Sequence, residues 1–315
     1  MKPRLLTFFC ELESRPLCEL FATPGVVEDL VALQSGVSLG LLDLGPERAE
    51  VVRHLNREGI PVTAWLLLPE EQGYFFHVGN LAQASARYDA FLAWTAEHGL
   101  KWAGVGLDLE PDIQELRGFM EGRWRRLPRL LPRLLLGSRL RRGRAGYSAL
   151  VERIRADGYK VDTYQFPFIV DERQSRSTLL QRVSGVLDLP ADREVLMLYT
   201  SFARPHGAAV LWSYGPGAAS IAVGITGGGI EFPGAKLPPP LDWTELSRDL
   251  RLAVRWTHDL HVFSLEGCVR QGFLSRLRTF DWDAPVDPPA LPARRVDAVR
   301  RMARAVLRAS AHVLR

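Results

Sequence analysis

The residues best placed to do chemistry are Asp108 and Glu110, in the stretch Ala103-Gly-Val-Gly-Leu-Asp-Leu-Glu-Pro-Asp112. Read as a strand, this stretch puts Val105, Leu107 and Leu109 on one face and Gly104, Gly106, Asp108 and Glu110 on the other, because successive side chains alternate. The first face suits packing under helices. The second is nearly bare and then delivers two carboxylates, with Cα atoms roughly 6 to 7 Å apart at a strand rise of about 3.3 Å per residue. Pro111 ends the ladder. Two acids at the exit of a buried strand suit cleavage of a glycosidic bond. One protonates the leaving oxygen; the other stabilises or attacks the cationic centre, or activates water.

Other chemistries lack their residues. No G-x-S-x-G elbow is present for a nucleophilic serine, and the histidines and cysteines are not clustered as zinc ligands. No motif calls for a cofactor, so none is expected. Cys10, Cys18 and Cys268 are odd in number and lack metal spacing, which points to a reducing, cytoplasmic compartment. A net charge of +4 does not suggest a nucleic-acid partner. The N-terminal run Leu5-Leu-Thr-Phe-Phe-Cys10 is too short for a signal peptide and is interrupted by Glu11 and Glu13, so it reads as a strand.

These acids need a scaffold, and the chain supplies a regular one. Strand-like runs at 5–12, 37–44, 61–68, 102–110, 160–169, 194–201, 220–226 and 261–266 alternate with helical segments, the count of a (β/α)8 TIM barrel. The runner-up, a doubly wound open sheet, would need a Gly-rich phosphate loop after the first strand, and Glu11-Leu-Glu-Ser-Arg-Pro is not one. The predicted barrel spans 1–285. A proline-rich linker and a basic C-terminal helix, 286–315, lie on or beside it. Chemistry in such a barrel sits at the strand C-terminal ends. Those ends carry Glu11 and Glu13, Asp43, Trp65 with Glu70, Asp108 with Glu110, Tyr164 with Gln165, Tyr199 with Ser201, Thr226, and Ser264 with Glu266. Strand parity assigns Ala222, Gly224 and Thr226 to the interior in strand seven. In strand eight it assigns Ser264 and Glu266 inward, with Phe263 and Leu265 outward. His261 is expected at the opposite end of the barrel from the chemistry. Glu11, Asp43, Trp65, Tyr74 and Gln165 are the candidate substrate contacts, with Tyr74, Phe75, Phe76 and Tyr164 as further aromatic faces for a sugar ring.

The run Gly104-Val-Gly-Leu-Asp-Leu-Glu110 resembles the strand-four signature of the chitinase-like family eighteen glycoside hydrolases, D-G-x-D-x-D-x-E. Gly104, Asp108 and Glu110 fall on its glycine, last aspartate and glutamate; Ala103 and Gly106 stand at its first two aspartates. The resemblance implies that Glu110 is the general acid and that Asp108 orients a substrate acetamido group. It also implies an assisting tyrosine from a later strand, a part open to Tyr164 or Tyr199. Where that family commonly has a tryptophan on strand eight, this chain offers Glu266, which could serve as the second acid across the mouth.

Two other functional readings use the same residues. Glu11, Asp43, Asp108, Glu110 and Glu266 could hold a divalent metal for isomerase or aldolase-like work, or the barrel could bind carbohydrate without cleaving it. The expected partner is a carbohydrate or glycoconjugate. Between Arg117 and Arg144 the chain carries ten arginines. In the C-terminal helix Val296, Val299, Met302, Ala303, Val306 and Leu307 recur at helical spacing against Arg300, Arg301, Arg304 and Arg308. Such basic faces are either solvated or dock weakly on an anionic membrane surface. The loop from Gly227 to Pro240 reads as a rim over the mouth.

Overall fold

A computed structural model describes residues 2–120, 132–134, 137–229 and 238–313. Eight parallel strands form a closed barrel in chain order: β1 (Leu5–Cys10), β2 (Gly36–Leu41), β3 (Val62–Leu66), β4 (Gly104–Asp108), β5 (Val161–Gln165), β6 (Arg193–Met197), β7 (Ser220–Gly224) and β8 (Asp259–Phe263), with β8 paired to β1. The helices that cover it are α1 (Ser14–Ala22), α2 (Val26–Leu33), α3 (Pro46–Arg57), α4 (Leu81–His98), α5 (Ile113–Met120), α6 (Gly137–Ala156), α7 (Phe168–Gln174), α8 (Leu179–Ser184), α9 (Gly207–Tyr214), α10 (Trp243–Ala253), α11 (Leu265–Arg270), α12 (Phe273–Leu277) and α13 (Ala290–Val313).

Alternation along the strands divides the apolar residues between two cores. Outward residues such as Phe8, Leu39, Leu66, Val105, Leu107, Ile221, Val223 and Val262 join the helix faces in one large cluster. Inward residues Phe9, Trp65, Tyr164, Val195, Met197, Ala222 and Phe263 fill the barrel. Each fully buried side chain of this size contributes about 1.5–3 kcal/mol, so both faces of every strand hold the barrel closed. Helix ends follow local rules. Pro46 opens α3, where its missing N–H costs nothing. Asp242 and Glu245 form a reciprocal capping box at α10.

One expected break is present and two elements depart from the sequence reading. The sequence reads 19–34 as helical with an interruption at Pro24-Gly25, and α1 and α2 do part there, where Gly25 takes a φ of 89°. Helix α7 was unforeseen; it is a seven-residue turn of chain that follows Pro167. The faces of β8 are exchanged: His261 and Phe263 point inward against Phe9, at ring distances of 5.4 and 6.0 Å. The chain leaves the strand at Ser264, whose side chain accepts the Gly267 N–H as the N-cap of α11. A two-residue period carried through 264–266 therefore reads helix as strand. His261 lies inside the barrel toward its lower end, beside Ser220 and Asp259; this is the end opposite the acids, as expected.

The lower interior is closed by charge. Arg193 on β6 pairs with Asp162 on β5 and, at 3.1 Å, with Asp259 on β8. On the outside, α13 packs on α7, α8 and α9. Its Arg300 donates to Asp171 at 2.8 Å and lies 3.6 Å from the Tyr214 ring centre. Among the described residues no helix is long and apolar enough to cross a membrane. Replacing Arg193 by Met would leave Asp162 buried without its cation. Urea unfolding is expected to register a loss of about 3 kcal/mol, larger than the loss from Arg15→Met in the exposed pair with Glu19.

Candidate active site

Four carboxyl groups meet at the C-terminal end of the barrel, and each arrives on a different piece of local structure. Asp108 is the last residue of β4 and Glu110 follows on the same face. Glu11 stands one residue past β1, and Glu266 lies in the first turn of α11. All four are buried. The loop after β3 closes over them. Gly73 (φ 99°) and Tyr74 (φ 61°) turn the chain so that the Tyr74 hydroxyl donates to Glu11 Oε1 at 2.7 Å. The Phe76 N–H donates to the Asp108 carbonyl at 2.9 Å, which fastens this loop to β4. Asn80 braces it further, donating to the Phe75 carbonyl and accepting from the Tyr147 hydroxyl.

On the opposite side Gly227, Gly228 and Gly229 all have positive φ, at 107°, 99° and 82°. The Gly229 N–H donates to Glu266 Oε1 at 3.2 Å. A Cβ at Gly228 would lie 2.4 Å from that same oxygen, and one at Gly229 would lie 3.0 Å from Glu11 Oε2. Only glycine lets the backbone come this close to the acids. The remainder of the loop expected as a rim, 230–237, lies outside the described residues, as do 121–131 and 135–136 of the arginine-rich segment.

Below the acids is a floor of rings. Phe9 meets Tyr164 edge-on at 4.8 Å and Trp65 at 5.3 Å. Gly106 is bare because Tyr164 fills its place: a Cβ there would lie 2.3 Å from the Tyr164 hydroxyl. That hydroxyl shares a 2.6 Å hydrogen bond with Ser38. Tyr164 is thus committed beneath the mouth, whereas Tyr199, half-buried and packed on Phe263 at 5.6 Å, faces the acids.

Burial dominates the electrostatics. Burial, then the charge of Glu110, pushes the Asp108 carboxyl well above the usual range. Burial, then Glu11, pushes Glu110 up to about 8. Burial also raises Glu266, opposed by the Ser264 hydroxyl and the Gly229 N–H. The Tyr199 phenol is held protonated by burial and by Asp108, Glu110 and Glu11. Asp108 Oδ1, Glu266 Oε2 and the Trp65 indole N–H are buried without a full hydrogen bond among the described residues. The Trp65 N–H is directed at Asp108 and lowers its carboxyl, but less than burial and Glu110 raise it.

Other expected residues are placed differently. Asp43 is not free for a substrate: Arg48, Ser14 and the Gly45 N–H contact its oxygens at 2.9, 2.8 and 2.8 Å. Burial would raise its carboxyl, but Arg48 outweighs that and holds it below the ordinary value. The buried Arg48 also donates to the Leu12 and Gly40 carbonyls, so the pair ties the exits of β1 and β2 to α3. Gln165, one residue beyond Tyr164, points to the opposite face and donates to the Leu187 carbonyl at 2.9 Å in the helix layer. Trp65 is packed in the ring floor and offers its N–H rather than a stacking face. Glu70 pairs with Arg117 on the rim, and the Ser201 hydroxyl accepts the Ile225 N–H. Ser38 and the Gly229 N–H were missed. Three consecutive glycines after strand seven were the available signal for the second. Among the described residues no group of three or more His, Cys, Asp or Glu side chains is disposed to hold a metal ion.

No protein-family model matches this chain, and no curated protein does. Among solved structures it is similar to the PgaB (BpsB) glycoside hydrolase domain from Bordetella bronchiseptica, at 10% identity and a TM-score of 0.45, over 88% of this chain and 98% of that one. It is also similar to tryptophan synthase from M. tuberculosis, at 13% identity and a TM-score of 0.38, over 89% and 90% of the two chains. Likenesses of this size do not bear on the reaction; the closed order of eight parallel strands is what establishes the TIM-barrel fold.

Two outcomes are expected. Gly106→Ala should destabilise the fold by about 1–3 kcal/mol in chemical unfolding, since Tyr164 must move, and Tyr164→Phe in the same chain should recover part of that. Glu110 binds its proton more tightly folded than unfolded, so its contribution to stability is complete below about pH 4.5 and is lost as pH rises to about 8. The melting temperature of Glu110→Gln, measured against wild type, should therefore gain steadily across that window.

Proposed function

We propose that this barrel is a glycoside hydrolase-like enzyme in which Glu110 is the general acid. The observation that carries this reading is the gathering of Glu11, Asp108, Glu110 and Glu266, all buried, at the end of the barrel where such folds do chemistry, with burial and Glu11 raising the Glu110 carboxyl to about 8. Glu110 would deliver that proton to the glycosidic oxygen as the bond breaks. Positive charge then grows on the anomeric carbon, and a carboxylate must face it. Glu266 and Glu11 are available for this, the first fixed by the Gly229 N–H and the second by the Tyr74 hydroxyl. Either would stabilise the cation, attack it, or take a proton from water. With Tyr164 filling the space at Gly106, Asp108 has no carboxyl partner on that side, which favours this route over one led by a substrate acetamido group. Tyr199 would donate a hydrogen bond to the sugar.

Turnover of chromogenic glycosides by wild type and Glu110→Gln tests the assignment. The variant should fold normally and lose at least about 100-fold in kcat. Wild-type activity should fall as pH rises through about 8, as the acid loses its proton. A variant as active as wild type would remove Glu110 from the role. A barrel that binds these sugars unchanged would be a carbohydrate-binding protein.

A further inference from the structure

Helix α13 carries its arginines on two sides, and only one side is used. Arg300 and Arg304 point inward to Asp171. Arg294, Arg295, Arg301 and Arg308 have no ion-pair or hydrogen-bond partner among the described residues, and all four are exposed. Beside them lies a strip of large apolar side chains open to solvent: Leu291 at 72%, Val299 at 65%, Met302 at 71% and Val306 at 63% exposure. These are four of the seven exposed large hydrophobic residues of the described chain, gathered on one helix. At 100° per residue they form one continuous arc. Arg294, Arg301 and Arg308, seven residues apart, run along one edge of it, and Arg295 sits within it. The one acid of the helix, Asp297, is turned away and holds the Ser213 hydroxyl.

We infer that this face of α13 docks in the plane of an anionic lipid surface. The apolar arc suits the boundary between headgroups and acyl chains, and the four unused guanidiniums suit the phosphates around it. A helix of 24 residues is about 36 Å long, enough to lie along the surface while its inner side stays on the barrel. A second copy of the chain fits less well. Antiparallel pairing through the arc would set the arginine edge against its own image and bury Arg295 between the helices. The inference does not rest on the glycosidase reading, because α13 is on the outer wall and contributes nothing to the mouth.

Flotation of the full chain with vesicles is the test. One set is phosphatidylcholine alone; the other is equal parts phosphatidylcholine and phosphatidylglycerol. The chain should float with the anionic vesicles only, and less so as salt is raised. Arg301→Glu with Arg308→Glu should weaken partitioning by about tenfold or more, and Val299→Ser with Met302→Ser should weaken it comparably. Circular dichroism and thermal melting of both variants should match wild type, since none of these side chains touches the barrel. Equal partitioning to both vesicle types, no partitioning, or full binding by both variants would overturn the inference. So would a dimer in light scattering that the Val299→Ser, Met302→Ser variant dissociates.

Discussion

Four carboxyl groups buried together at one end of a barrel is the constraint on which this structure turns. Charge cannot be left unpaired in so poor a solvent, so protons must stay on the acids or hydrogen bonds must be brought to them. Both happen. Burial and neighbouring acids raise the carboxyls of Asp108 and Glu110. Glu11 receives the Tyr74 hydroxyl, and Glu266 receives a backbone N–H from a stretch of glycines. The nearby guanidinium of Arg48, which would have neutralised one of them, is spent on Asp43 and two carbonyls. Buried carboxyls with raised proton affinity are how acid–base sites are commonly built.

The ring floor makes that arrangement possible. Phe9, Trp65, Tyr164 and Phe263 block the barrel below the acids, so water does not reach them from beneath. The floor also explains the bareness of β4. Glycines 104 and 106 are where neighbouring groups come through: Lys160's carbonyl lies 2.9 Å from a Cβ at the first, and the Tyr164 phenol crosses the second. At the base of the barrel, Arg193 draws Asp162 and Asp259 together, so the buried acids at that end are met by a guanidinium.

The barrel was legible in the sequence because its strands are short apolar runs separated by helical ones, and the acids of β4 because alternation fixes their face. What was not legible has a local cause in each case. The end of β8 was misread because Ser264 caps a helix, and an N-cap interrupts the two-residue period. Asp43 looked like a mouth residue because its partner Arg48, five residues on, reaches back from a helix. Gln165 was grouped with Tyr164 although neighbours on a strand face opposite ways. The committed position of Tyr164 depends on Ser38, 126 residues away, and long-range pairs of this kind leave no mark on a single sequence.

The interlock of Gly106 with Tyr164 constrains how this site can change over generations. An acidic side chain at 106 has no room while the phenol is in place, and removing the phenol first leaves a gap between Ser38 and the ring floor. The two positions are sterically coupled, so a change at either is expected to cost stability until the other follows. Room for new side chains is thus lacking on the strand that bears the acids, at 104 as at 106.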